Sequence, residues 1–362
     1  MTSSSSTLRY TGAASFRQRL LLATLSGRPV RIDGIRADEA EVGLRDFEAN
    51  FLRLLEKVVN GCEVAINETG TAIRYRPGII VGGESLTHDC GSSRAIGYFA
   101  QPLLVLAPFA KKPLGITLRG VTNSPEDVSV DVLRTVTMPL LRHFGIEGAA
   151  LHVVKRGAQP KGGGEVRIEV PPVRQLSPVS LLEVGKVRRV RGVAYGTKVS
   201  PQVANRLVNG SRTVLNRYLP DVWVYTDVHK GKSSGESPGF GVALVAETTS
   251  AVLLSAELCG MAGQLPEDVG LTAADGLLNQ IEAGGAVDAT NQSLVLTLMC
   301  LGPEDVSRVR LGAQLSDAAV CTLRLLRDFF GVSFQIENDP ADGSLLLACR
   351  GVGFRNMSQR VT

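Results

Sequence analysis

Tryptophan occurs once, histidine four times and cysteine six times in 362 residues, and aromatic residues make up only 5% of the chain. The cysteines (Cys62, Cys90, Cys259, Cys300, Cys321 and Cys349) form no Cys-x-x-Cys pair, and most lie in apolar runs such as Leu298-Met299-Cys300-Leu301. Buried free thiols are therefore expected, not disulfides or a zinc site. His88, His143, His152 and His229 lack metal-ligand spacing among themselves or with a cysteine, so no metal site is expected from them. Long apolar runs are missing too. The longest uncharged stretch, 95–110, is broken by Gly97, Pro102 and Pro108 and is shorter than the ~20 residues of a membrane span. The opening residues have no basic segment ahead of an apolar core, so an intracellular chain is expected.

What is present is an ordinary globular composition, 44% hydrophobic and 20% charged, at a length that implies roughly two domains. Net charge is only +4, but it is unevenly placed. Lys186, Arg188, Arg189, Arg191, Lys198, Arg206, Arg212 and Arg217 occur with no acidic residue between Val184 and Pro220. Such a stretch reads either as a phosphate-facing surface or as solvated faces whose carboxylate partners come from elsewhere in the fold. Gly231-Lys232-Ser233 imitates a phosphate loop, but Thr226 occupies the required first glycine position, and an exposed turn in a mobile 230–239 loop is expected.

One order of elements recurs three times: helix, strand, helix, hairpin. The first unit reads as helix 16–25, strand 29–36, helix 42–59 and a hairpin of 62–66 with 71–75. The second reads as helix 94–109, strand 114–119, helix 125–144 and a hairpin of 149–154 with 166–170. The third reads as helix 292–301, strand 307–311, helix 316–330 and a hairpin of 332–336 with 344–349. About a hundred residues separate the second from the third and carry their own pattern: strand 187–195, helix 201–218, strands 222–228, 241–247 and 251–258, then a helix from Pro266. The expected fold is α/β. Three repeated units form a large domain (1–184 and 285–362), and a small α/β insert (185–284) precedes the third unit.

This organisation, with Arg17 and Leu25-Ser-Gly-Arg-Pro29, Gly43-Leu44-Arg45, Gln101-Pro-Leu-Leu104, Thr122-Asn123-Ser124-Pro125, Pro160-Lys-Gly-Gly-Gly-Glu165 and Gln292, resembles the RNA 3′-terminal phosphate cyclase family over nearly the whole chain. Ser237-Pro-Gly-Phe-Gly241 and Ala246-Glu-Thr-Thr249 look like its eukaryotic nucleolar branch, the cyclase-like proteins of small-subunit ribosome assembly. Active members of the family adenylate a histidine with ATP, pass AMP to an RNA 3′-phosphate, and let the vicinal 2′-hydroxyl displace it. The resemblance places that histidine where Ala313-Gln314-Leu315-Ser316-Asp317 stands, so the nucleophile position holds Ala313. Further departures are Gly12-Ala13-Ala14-Ser15-Phe16 in place of a glycine-rich approach, Leu44-Arg45-Asp46-Phe47-Glu48 in place of a Leu-Arg-Pro-Gln-His-like segment, and Asn291-Gln292 in place of an Asp-Gln pair.

The resemblance therefore implies a catalytically silent scaffold in maturation of small-subunit (18S) rRNA. It implies a nucleolar location in the small-subunit processome, pre-rRNA and processome proteins as neighbours, a ribosome-assembly GTPase as direct partner, and no cofactor. Arg17, Arg45 and Lys161 remain in the family's anion-binding surroundings, where they either hold phosphate or form ion pairs between units. Arg188, Arg189 and Arg191 are the further RNA-binding candidates. Two alternatives stay open. One is a pre-rRNA endonuclease reusing the old cleft, with Asp46, Glu48, Arg324, Arg327 and Asp328 as candidates; these also fit exposed helix faces, with Arg324 and Asp328 at ion-pair spacing. The other is a surviving cyclase.

Overall fold

The computed structural model describes residues 7–358. Three four-stranded sheets share one strand pattern, in which a first strand runs parallel to the second and the hairpin that follows adds two antiparallel strands. The first sheet is ordered Leu8–Thr11, Val30–Asp33, Ile73–Arg76, Glu63–Ile66. The second is Gly83–Asp89, Leu114–Gly120, Gly164–Val170, Ala150–Lys155. The third is Ser180–Leu181, Val306–Leu311, Leu345–Arg350, Gln335–Asn338.

Apolar helices Phe16–Ser26, Ile96–Leu106 and Gln292–Leu301 lie between the sheets' parallel strands in sequence and supply much of one large hydrophobic core. Helices Asp46–Val58 and Asp317–Phe330 are amphipathic and bury one face, as their spacing of Phe51, Leu54, Leu55 and of Leu325, Leu326, Phe329 dictates.

The fourth sheet, Val222–His229, Val187–Thr197, Gly239–Thr248, Leu253–Cys259, carries helices Pro201–Leu215 and Pro266–Glu282 on one face. A second core forms there from Val190, Leu207, Val224, Leu244 and Leu277. All six cysteines are unpaired, and Cys90, Cys300 and Cys349 are buried.

Several boundaries differ from the sequence reading. The helix expected from 42 begins at Asp46, because Gly43 takes a left-handed φ of 84°, Leu44 N–H donates to Gly70 O, and the Glu48 carboxylate accepts the Arg45 N–H as a cap. The helix expected over 125–144 begins at Val130, where the Ser129 hydroxyl caps the Val132 N–H at 3.1 Å. It then widens into a π turn, Leu133–Thr137, just ahead of Pro139, which has no N–H for a regular turn.

The edge strands Leu8–Thr11, Gly83–Asp89 and Ser180–Leu181 were not anticipated, since they are short or largely polar and gain their order from a parallel neighbour. The loop expected to be mobile at 230–239 is pinned instead: Gly235 N–H donates to Arg156 O at 2.5 Å and Glu236 N–H to Gly162 O at 3.2 Å. A Cβ on Gly235 would lie 2.1 Å from Gly162 O, so only glycine permits this approach.

Candidate functional site

The N-terminus of the Ile96–Leu106 helix is fixed by Asp127. Its carboxylate accepts the Ala95 N–H at 2.9 Å and the Arg94 Nε–H at 2.8 Å, with a second Arg94 nitrogen on its other oxygen. Gly97 lets Val128 O pass where a Cβ would stand 1.9 Å away. The guanidinium groups of Arg17 and Arg94 each lie 4.6 Å from the Tyr98 ring centroid. Burial pushes the Tyr98 phenol up to about 12, so it stays protonated at neutral pH.

Arg17 donates to Tyr98 O at 2.6 Å and to Gln101 Oε1 at 3.1 Å. Burial lowers its proton affinity, but a guanidinium remains charged. Arg17, Arg36, Phe47, Glu48, Arg94 and Tyr98 line a recess of about 320 Å³, and Arg17 with Gln101 also lines a smaller one of about 80 Å³.

Arg36 is neutralised by Glu48 through two bonds of 2.7 Å, and Arg94 by Asp127. Arg17 forms no ion pair with a carboxylate among the described residues. The recess thus carries an excess positive charge on a side chain already partly desolvated, in a space that accommodates a phosphate group.

The other candidate cations are differently employed. Arg45 stands at the start of the Asp46–Val58 helix with its guanidinium on Glu39 and Glu41, outside the recess. Lys161 is exposed in the turn before Gly164–Val170, where its N–H donates to Ser237 Oγ at 3.1 Å, and it lines neither recess. Arg188 and Arg189 both pair with Glu247, Arg191 pairs bidentately with Asp221, and Arg206 pairs with Glu267. Four of the eight cations in the basic stretch therefore acquire carboxylate partners from beyond it.

The altered family positions are equally specific. Ala313 is exposed just before the Asp317–Phe330 helix, whose N-terminus is capped by Ser316 Oγ on Ala319 N–H at 3.2 Å. None of the four histidines joins this turn: His88 is buried without a partner for either ring nitrogen, and His229 contacts Asp227 and Ser233 O. Asn291 is fully buried, donating to Asp288 Oδ1 at 2.8 Å and accepting from Thr137 at 2.8 Å, while Gln292 Oε1 accepts the Ser316 N–H at 2.8 Å. Phe16 is packed into the core with 3% exposure, and its edge, with Ala13 and Ser15, lines the recess, while Ala14 lies outside it.

Of the hydrolytic candidates, Glu48 is committed to Arg36, Asp46, Arg324, Arg327 and Asp328 are exposed, and Asp328 accepts the Tyr10 hydroxyl at 3.2 Å. No ion pair joins Arg324 to Asp328 among the described residues.

The sequence reading missed the densest charge cluster. Arg156, 1% exposed, donates to both oxygens of Asp131 at 2.8 and 2.7 Å and to Asp227 at 2.8 Å, over the Tyr195 ring. Asp131 is held below the usual carboxylate range: burial alone would raise it, but Arg156 and the Asn123 amide outweigh that. The four contributing segments are far apart in sequence, and only Thr122-Asn123-Ser124-Pro125 had marked the place.

Residues 8–336 of this mixed α/β chain match the RNA 3′-terminal phosphate cyclase family. The chain belongs to that family. It is 51% identical over 372 residues to the RNA 3′-terminal phosphate cyclase-like protein of Bos taurus and 50% identical over 372 residues to that of Homo sapiens, covering 99% of each pair of chains. It is also 45% identical over 357 residues, 98% of both chains, to a Schizosaccharomyces pombe protein named "rRNA processing protein rcl1".

Proposed function

We propose that this chain is a catalytically inactive cyclase-like scaffold acting in small-subunit (18S) rRNA maturation in the nucleolus, within the small-subunit processome, with pre-rRNA and a ribosome-assembly GTPase as partners. The observation that carries the reading is the exposed Ala313 at the position the resemblance gives to the nucleophilic histidine, with no other histidine in that turn. Nucleotidyl transfer through an imidazole has no group to act there. Asn291, fixed between Asp288 and Thr137, offers no carboxylate at the place of the family's Asp.

What remains is the Arg17 recess, which holds an anion by charge and hydrogen bonding without a reacting group beside it. The fission-yeast relative, similar over nearly the full chain and named for rRNA processing, supports the biological setting. The endonuclease alternative has weaker support, because both Glu48 oxygens are engaged by Arg36.

Depleting the protein in its own cells is the test. Mature 18S rRNA is expected to fall while large-subunit rRNA holds, with the GTPase co-purifying with the tagged chain; unchanged 18S rRNA would contradict the proposal.

A further inference from the structure

Residues paired across a sheet project to the same face. On the fourth sheet Arg191 pairs with Trp223 and Val193 with Tyr225, and the same two residues pair with Val245 and Ala243 on the other side. Ala243 and Val245 are 3% and 6% exposed and belong to the large core. Trp223 and Tyr225, on the outer edge strand, are each 56% exposed. The large core therefore covers this face over its inner strands and leaves two aromatic rings uncovered at its edge.

These rings are 6.0 Å apart between centroids and inclined at 61°, so a planar group stacks on either ring but is not sandwiched between them. Arg191 lies directly across from Trp223, with Arg188 and Arg189 further along the same strand, and only two carboxylates, Asp221 and Glu247, answer these three guanidinium groups. Lys186, Arg212 and Arg217 are exposed and have no carboxylate partner among the described residues; Arg217 and the exposed Tyr218 lie in the turn that leads into the aromatic strand. Asp221, just ahead of that strand, and Asp227, two residues past Tyr225, border the rings on the same face, so the patch is not a continuous apolar groove of the kind that seats a peptide helix.

We propose that Trp223 and Tyr225 form a stacking platform for unpaired bases of single-stranded RNA, with the neighbouring arginines and Arg217 meeting the backbone phosphates. The inference rests on the RNA-binding part of the proposed function and adds the RNA form and the groups that read it. Charge complementarity selects a polyanion, and exposed ring faces select unpaired bases, because paired bases in a duplex keep their faces stacked.

The chain's lone tryptophan makes the platform directly observable. The full chain is titrated with a single-stranded oligouridylate of about 12 nucleotides and with a blunt RNA duplex, reading Trp223 fluorescence and, separately, the anisotropy of labelled RNA. Saturable quenching by the single strand and little by the duplex is expected. Tyr225→Ala and Trp223→Leu should each weaken binding roughly five- to a hundredfold, with the salt slope unchanged, whereas Tyr225→Phe should retain it. Replacing Arg188, Arg189 and Arg191 with Gln should instead flatten the salt slope.

Full-strength binding by Tyr225→Ala, equal loss in Tyr225→Ala and Tyr225→Phe, or a fluorescence change given only by duplex RNA or by a protein partner overturns the platform. Binding of the oligonucleotide without quenching also overturns it and leaves the scaffold reading standing. Adenylation of the protein by ATP sinks the scaffold reading and leaves the stacking result intact.

Discussion

Arg156 and Asp131 meet through two hydrogen bonds of 2.7 and 2.8 Å with both side chains at 1% exposure or less, and the same guanidinium reaches Asp227 on the fourth sheet. One buried cation thus joins the two cores. Removing one partner of a buried pair strands the other, at a cost of about 3–5 kcal/mol. Arg156→Met should lose that much in urea unfolding and should split a single transition into two, because the link between cores goes with it. Asp227→Asn should cost less, since the Asp227 side chain is 35% exposed. A wild-type midpoint and slope in Arg156→Met would contradict this role.

The 185–284 segment is proposed to be an insertion that folds around the second core. Its two ends converge on one residue: Arg310 Nε donates to Leu182 O at 3.1 Å, and Ala286 N–H donates to Arg310 O at 2.7 Å. Excising 185–284 and joining the ends with a short Gly/Ser linker should leave a cooperatively folding remainder, destabilised by the loss of Asp227, Ala243 and Val245. Loss of cooperative unfolding in the deletion counts against the boundary.

Two buried groups give opposite pH slopes. His88, with neither ring nitrogen bonded, is lowered to about 4 by burial and by Lys57, so below its ordinary value of 6.5 the unfolded chain binds a proton that the native chain refuses. Stability is then lost as pH falls from about 6.5 to about 4. Glu257 is raised to about 7 by burial, so the native chain holds an extra proton and stability is lost as pH rises from about 4.5 to about 7. His88→Leu should flatten the first slope, and Glu257→Gln should flatten the second and gain on the order of 1 kcal/mol near pH 8. Unfolding free energies measured from pH 4 to 8 decide each; parallel profiles for variant and wild type would exclude these assignments.

Arg17→Gln should weaken binding of inorganic phosphate or of a 3′-phosphorylated oligonucleotide by about tenfold, the loss of one charge-assisted contact of about 1.5 kcal/mol, and should also lower the melting temperature, because Tyr98 O, facing Pro102 in the helix, loses its donor. Calorimetric titration reads this directly. Equal affinity in the variant would place the anion elsewhere.

Helices such as Gln292–Leu301 and Phe16–Ser26, and hairpins turned at Thr69-Gly70 and Gly162, were legible because apolar periodicity and turn glycines are local signals. The starts of the Asp46–Val58 and Val130–Val132 helices were not, since Gly70 O and the Arg94–Asp127 pair that occupy the preceding residues come from distant segments. The same reason hid the carboxylate partners of the basic stretch: Asp221, Glu247 and Glu267 all lie beyond its acid-free window. Arg17 was marked by resemblance, but its partners Tyr98 and Gln101 stand about eighty residues away and were joined to it only by the fold. Trp223 and Tyr225 carried no motif, because exposure on a half-covered sheet is a tertiary property.

Ala313→His should not restore activity by itself, because Asn291 still supplies no carboxylate and Ala13 and Phe16 still line the recess. Assaying the variant for a covalent AMP adduct checks this, and an adduct convertible to cyclic phosphate would show that the missing imidazole was the sole defect.

The most direct measurement is incubation of the purified full chain with labelled ATP, a divalent metal and RNA bearing a labelled 3′-phosphate. The scaffold account predicts no label on the protein and an unchanged RNA end. Stoichiometric AMP on the unmodified protein, or a 2′,3′-cyclic phosphate on the RNA, would contradict it, because another nucleophile would then be doing the work that Ala313 cannot.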